Sequence, residues 1–194
     1  MSKINEIIQL QKRELEQYFG KEYIKRTEKL AELNKDIIKV VIGPRRAGKS
    51  FFIIHEMQEI KKFGYVNFDD ENLTKVTDYD EVIESVNIVY NNPKFLFLDE
   101  IQNLPKWELF VNRLQRRGLN IILTGSNSNL LSKELATHLT GRYISTIIFP
   151  LSFKEYISHF GKDLTETEIK ARLSEYVTNG GFPEPLVKNI DYKN

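Results

Sequence analysis

Gly43-Pro44-Arg45-Arg46-Ala47-Gly48-Lys49-Ser50 follows the apolar run IIKVVI (37–42) and opens a helical pattern over 49–62. The eight residues fit G-x-x-x-x-G-K-[ST], and a strand before with a helix after is the setting that this chemistry needs. Gly43 and Gly48 permit backbone angles closed to larger residues, so successive N–H groups can turn inward around a phosphate. The new helix adds the partial positive charge of its N-terminus at the same point. Lys49 has the reach for β- and γ-phosphates, and the Ser50 hydroxyl is a ligand for Mg²⁺. The spacing predicts a nucleotide-phosphate site running from Gly43 through Phe51. For Arg45 and Arg46 three readings stand: contact with phosphate, solvation, or pairing with an acidic neighbour.

Working outward, four more short apolar runs follow: YVNF (65–68), FLFLD (95–99), NIILT (120–124) and YISTIIF (143–149). Near-continuous Ile, Val, Leu and Phe mark parallel strands buried on both faces, and the more mixed YVNF suits an edge. Helical patterns lie between them, over 49–62, 79–91, 106–117 and 128–139. Strands alternating with helices predict an α/β sandwich with a mainly parallel sheet. Before it, Ile4, Ile7, Ile8, Leu15, Tyr18 and Phe19 have helical spacing, as a brace on the body or a partner-binding helix. After it, Thr165 and Glu168 have capping-box spacing, followed by Ile169, Leu173, Tyr176 and Val177 on one face. The expected organisation is an N-terminal helical segment (1–36), a P-loop core (37–150) and a short helical region or lid (151–194).

The run Phe95-Leu96-Phe97-Leu98-Asp99-Glu100 ends an apolar strand on two carboxylates, a Walker B pattern. At the carboxyl end of its strand, Asp99 faces the same crevice as the loop and suits the Mg²⁺ shell. Glu100 can polarise a water for attack on the γ-phosphate, which favours hydrolysis over transfer to a small-molecule acceptor. The plainer reading is that Glu100 caps the next segment. Ser126 or Asn127, after the strand ending at Thr124, would sense the γ-phosphate; a turn and helix cap compete for them. Arg142 is a candidate finger on the phosphoryl group, from the same or a neighbouring subunit, with a structural ion pair as the alternative. Arg45, Arg46, Arg113, Arg116, Arg117 and Arg142 are six of the nine arginines, and they read as gathered around the site. The face carrying Arg113, Arg116 and Arg117 is solvated, or meets a partner subunit or nucleic acid. Asp69 would join the Mg²⁺ shell or belong to a solvated acidic loop.

Composition narrows the field by exclusion. The 194 residues carry 28 Lys+Arg against 27 Asp+Glu, so bulk charge offers no argument for a nucleic-acid or membrane partner. No cysteine and three scattered histidines leave no disulfide framework and no thiolate or imidazole metal site. No apolar run approaches a bilayer span, and the charged N-terminus lacks a signal-peptide core, so a cytoplasmic location is expected.

Taken together, GPRRAGKS, FLFLDEIQNLPKWELF, LTGSNSNLL, LTGRY and FPLSFKEY resemble an AAA-type P-loop ATPase family common in archaea and bacteria. YIKR (23–26) and GGFPEP (180–185) also look like family positions. The resemblance implies an α/β P-loop NTPase fold, a three-layer sandwich with a mainly parallel five-stranded sheet in the order 5-1-4-3-2, with the strand ending at Thr124 between the phosphate-loop and Walker B strands. It assigns Lys49 and Ser50 to ATP·Mg²⁺, Asp99 to Mg²⁺, Glu100 to the catalytic water, and Ser126 or Asn127 to the sensor; Arg142 matches the family's Gly-Arg pair. Relatives continue into a further C-terminal domain, so this chain is expected to be a short form or a fragment. The expected function is Mg²⁺-dependent ATP binding and hydrolysis to ADP, coupled to a protein or DNA partner or to a homo-oligomer. The alternative is a nucleotide-binding switch with little turnover.

Overall fold

The computed structural model describes residues 2–30, 36–58, 60, 62–126, 139, 142–161 and 163–188. Five parallel strands form the sheet: β1 (Ile38–Gly43), β2 (Phe63–Asn67), β3 (Phe95–Asp99), β4 (Asn120–Ser126) and β5 (Tyr143–Ile147). Their order is β2-β3-β4-β1-β5, which is 5-1-4-3-2 read from the other edge. Successive side chains of a strand point to opposite faces, and here both faces are covered. Val40, Ile42, Val66, Leu96, Leu98, Ile121 and Leu123 join one core. Val41, Tyr65, Phe97 and Ile122 join another. The first core is closed by α1 (Lys3–Tyr18), α3 (Tyr79–Tyr90) and α4 (Trp107–Arg116), and the second by α2 (Lys49–Glu56). The three-layer sandwich follows from that alternation.

The helix α1 is a brace. Ile4, Ile8, Gln11 and Leu15 recur on its buried face, and Ser2 caps it by accepting from the Asn5 N–H. It packs on α3 and β2. There, the Gln11 side chain donates to the Asn67 carbonyl at 2.9 Å and accepts from its N–H at 3.0 Å. That amide pairs with the end of the edge strand as another strand would, which blunts an exposed edge.

Two expectations shift. The pattern over 49–62 predicts a longer helix than α2, which ends at Glu56 because β2 already begins at Phe63. Gly64 makes that earlier strand possible, since a Cβ there would lie 2.8 Å from the Val86 side chain of α3. The edge placement expected for 65–68 is what the sheet shows. The helical pattern at 128–139 falls almost wholly outside the described residues.

Beyond β5 come α5 (Phe153–Ser158), α6 (Glu166–Asn179) and α7 (Pro183–Lys188). Ser152 with Glu155, and Thr165 with Glu168, form complete capping boxes. Only Tyr176 of the expected α6 face packs inward, against Phe153 and Tyr156. Ile169, Leu173 and Val177 remain exposed. Residues 183–188 form a helix with proline at its first position, where a missing N–H costs nothing. No helix among the described residues is long and apolar enough to cross a membrane.

Glu155 is buried beside Arg26, at 3.2 Å, and also accepts from Thr27 and Ser152. Burial alone would push its carboxyl up, but the N–H and O–H donors of Thr27 and Ser152 prevail and hold it at about 2. The folded value lies below the ordinary 4.5, so Glu155 stabilises the fold above that pH and ceases to as pH falls through about 2. The shift corresponds to a contribution on the order of 3 kcal/mol at neutral pH. The thermal midpoint should therefore fall steadily between pH 4.5 and 2. In Glu155→Gln it should start lower and fall less; a parallel decline in that variant would place acid stability in other carboxylates.

Candidate functional site

The loop between β1 and α2 is shaped by three residues with positive φ. Gly43 ends β1 at φ 154°, Arg46 sits at φ 62°, and Gly48 precedes α2 at φ 88°. Any Cβ on Gly43 would stand 1.9 Å from the Ile148 carbonyl oxygen, so the loop leaves the sheet in contact with the extension of β5. Left-handed turns between ordinary residues make the concave run of N–H groups that accepts anions, and the α2 terminus adds to it.

Lys49 opens α2 and is buried, with Nζ donating to the carbonyls of Gly43 (3.2 Å) and Pro44 (3.0 Å). Burial lowers its pKa, opposed by the negative charges of Glu100, with Oε1 at 3.9 Å, and Asp99. The next residue, Ser50, donates from Oγ to Asp99 Oδ1 at 3.0 Å. Asp99 ends β3, is 4% exposed, and also accepts from Tyr65 Oη at 3.2 Å and from Thr124 Oγ1. Burial raises its pKa, against which the hydroxyls of Thr124, Ser50 and Tyr65 work. A buried carboxylate held by three hydroxyls is oriented before any ligand arrives.

Glu100 follows in the left-handed region at φ 50°, a strained conformation for a residue with a side chain. Its N–H donates to Thr124 Oγ1 at 2.9 Å and its Oε2 accepts from Gln102 Nε2 at 2.5 Å. Glu100 stands at the N-cap position of the short 3-10 turn Ile101–Asn103, but its side chain makes no cap hydrogen bond there, and its other carboxylate oxygen faces Lys49. Ser50 and Asp99 supply two hard oxygen donors in contact. That set fits Mg²⁺, which takes most of its ligands from phosphate and water; no larger His/Asp/Glu cluster occurs among the described residues.

Lys49, Ser50, Asp99 and Glu100 thus come together as their motifs predict. Thr124, at the end of β4's apolar run, joins Asp99 and Glu100, because β3–β4 register sets Leu98 against Leu123. A lone hydroxyl at the end of the apolar run NIILT was its signal, as was the hydroxyl of Tyr65 in β2. The Ser126 backbone lies opposite Gly43 at the same edge of the sheet, while Asn127 lies outside the described residues. Arg45 and Arg46 are exposed. Arg45 approaches Asp69 at 4.0 Å, and Asp69 accepts from Asn103 at 2.9 Å on the rim instead of joining Ser50 and Asp99.

Arg113, Arg116, Arg117 and Arg142 do not gather at the loop. Arg142 precedes β5, and its carbonyl accepts from the N–H of Ile38 at the start of β1. It therefore stands at the opposite edge of the sheet, one strand length or roughly 17 Å from the loop. Arg116 and Arg117 close α4 just before β4 begins, at that same far edge. Arg113 and Arg117 donate to Asp80 at 2.9 and 3.2 Å. Above the loop, GGFPEP comes close: Pro183 Cγ is 3.3 Å from where a Gly48 Cβ would stand. A cavity of about 410 Å³ separates Arg45 and Arg46 from the α6–α7 turn at Asn179, Phe182 and Glu184.

Residues 35–157 match the family model described as an AAA domain, more than half of the chain. The chain belongs to the AAA-type P-loop ATPase family. The chain is 40% identical over 186 aligned positions to an uncharacterized protein of Methanocaldococcus jannaschii, covering 86% of the chain and 42% of that protein. It is 35% identical over 172 positions to an uncharacterized protein of Haemophilus influenzae, with 80% and 43% covered. The chain thus spans about two fifths of the length of these curated relatives. Among solved structures, the chain shares its fold with AMPPCP-bound DnaA of Aquifex aeolicus, at TM-score 0.52 and 18% identity, over 95% of this chain and 61% of that one. The Walker-type ATPase paby2304 of Pyrococcus abyssi gives 0.50 and 18%, over 79% and 61%.

Proposed function

We propose that this AAA domain binds ATP·Mg²⁺ between the 43–50 loop and the end of β3, hydrolyses it to ADP, and couples that cycle to a partner. The observation that carries the reading is the convergence of Lys49, Ser50, Asp99 and Glu100, with Ser50 in contact with Asp99 and Glu100 facing Lys49. In this reading the loop N–H groups and Lys49 hold the phosphates, with Arg45 and Arg46 on the rim. Ser50 and Asp99 hold the ion, which supplies neutralisation of phosphate charge when bound. Glu100 takes the proton of the attacking water. Ser126 or Asn127 is proposed to sense the γ-phosphate. The AMPPCP-bound state of the Aquifex protein supports an adenine nucleotide as the ligand.

A second copy of the chain is part of the proposal. Arg142 is exposed at the far edge of the sheet, out of reach of its own loop, so a finger role places it in a neighbouring subunit's site. The same fact favours a slow switch when the chain is alone, since a missing finger costs about 10³–10⁵ in rate. The ion pairs of Arg113 and Arg117 with Asp80 argue against a free basic face for DNA. Equilibrium binding of a non-hydrolysable ATP analogue tests the reading. The parent should bind it more tightly with Mg²⁺ than with chelator, and Lys49→Ala should weaken it by about 30-fold or more, as loss of a buried charge-assisted contact implies. A parent chain that binds no nucleotide, or a Lys49→Ala variant that binds equally well, would refute it.

A further inference from the structure

Arg26, from the YIKR stretch, is 7% exposed and bonds to three separate parts of the chain. Nε donates to Glu155 Oε1 at 3.2 Å, Nη1 to the Ala47 carbonyl at 3.2 Å, and Nη2 to the Phe149 carbonyl. Glu155 is held in turn by the Thr27 N–H and hydroxyl at 2.8 Å and by the Ser152 N–H and hydroxyl at 2.8 and 2.9 Å. One buried ion pair therefore fastens the N-terminal segment, the phosphate loop, the segment after β5, and the cap of α5.

The contact with Ala47 bears on the loop itself. The Ala47–Gly48 peptide is trans, so its carbonyl and the Gly48 N–H point in opposite directions. With the carbonyl fastened to the buried guanidinium, the Gly48 N–H is turned away from Arg26. Gly48 is also the residue before α2, where the helix terminus adds its positive potential. A planar fork with several fixed donors can hold three segments at once, which a lysine ammonium on one flexible stem cannot. Stability alone does not explain such a pair, because an apolar replacement of similar volume commonly stabilises a fold as well or better.

We propose that Arg26 is a positioning residue of the phosphate site: it sets the Ala47–Gly48 peptide for phosphate and, through Glu155, makes that setting depend on the docking of α5. This rests on the reading that the 43–50 loop binds nucleotide phosphate. Nucleotide binding and the seating of the C-terminal helices are then one coupled event, with no residue of 151–158 touching the ligand.

Arg26→Lys keeps the positive charge beside Glu155 but cannot span the carbonyls of Ala47 and Phe149. Two probes report on it: a non-hydrolysable ATP analogue with Mg²⁺, and inorganic triphosphate. Both should bind about tenfold more weakly at temperatures where the variant is fully folded, the scale of one charge-assisted hydrogen bond. Glu155→Gln should weaken both in the same direction without touching the loop. A folded Arg26→Lys that binds both probes as tightly as the parent would overturn the proposal. Hydrogen exchange on the parent decides the matter even if the variants do not fold. Mg²⁺ with the ATP analogue should slow exchange at 24–28 and 149–156 together with 44–50; protection confined to 44–50 would overturn it. A parent that binds neither probe removes the phosphate reading itself, an outcome distinct from a parent that binds without coupling.

Discussion

Glu100→Gln should reduce phosphate release from ATP by about 10²–10⁴-fold, the usual contribution of a positioned general base. The variant keeps the shape of the side chain and its ability to accept from Gln102 Nε2, 2.5 Å from Oε2. It loses the negative charge that faces Lys49 Nζ at 3.9 Å. Binding of an ATP analogue should therefore be unchanged or tighter, since a carboxylate beside the phosphates is gone while Lys49, Ser50 and Asp99 stay in place. The split between binding and turnover is the diagnostic feature. Steady-state phosphate release and analogue affinity, measured on the same preparation, would show it. Equal turnover in parent and variant would take Glu100 out of the chemistry; lost affinity together with lost turnover would make it a structural residue of the loop.

The second large effect concerns packing. Gly43→Ala should destabilise the fold by more than about 3 kcal/mol, the range reserved for forced backbone clashes and strain. The added Cβ would sit 1.9 Å from the Ile148 carbonyl oxygen and 3.0 Å from its carbon, atoms of main chain that cannot rotate away. Ile148 is itself held by its N–H to the Ile42 carbonyl at 2.8 Å, so relief requires parting β1 from the chain beyond β5. Gly118 is the control. It also has a left-handed φ, 81°, but nothing lies within 4 Å of the position its Cβ would take. Gly118→Ala should cost only the conformational term, about 1–2 kcal/mol. Urea denaturation of the two variants separates them. Losses of equal size would mean that backbone angle, and not the approach of Ile148, makes Gly43 necessary.

Much of the site was legible because its chemistry is local. Two glycines five residues apart, with lysine and a hydroxyl immediately after, must lie in one turn whatever the rest of the chain does. Likewise, a run of apolar residues ending in Asp99 and Glu100 puts both carboxylates at one end of one strand. The edge position of β2 was legible too, since a polar residue in a short run tolerates one open side. The role of Thr124 as a partner of Asp99 was not legible: its own strand shows only a hydroxyl at the end of an apolar run, and the neighbouring β3, in register, gives that hydroxyl its carboxylate. The α6 stripe shows the converse failure. Its spacing is amphipathic, yet Ile169, Leu173 and Val177 stay exposed because periodicity shows which face is apolar and not what covers it.

The sequence by itself determined the phosphate loop, the acidic strand end, the alternation of strands and helices, and the capping box of Thr165 and Glu168, each written in local residue patterns. Tertiary structure decided the rest. It set Arg142 a strand length from its own loop, tied Arg113 and Arg117 to Asp80, and joined Arg26 to Glu155 across 129 residues. The physical reason is the same in each case. Charge and hydrogen-bonding capacity belong to a residue, but the partner that uses them is chosen by strand order and register. Those depend on how all five strands bury both faces of the sheet at once.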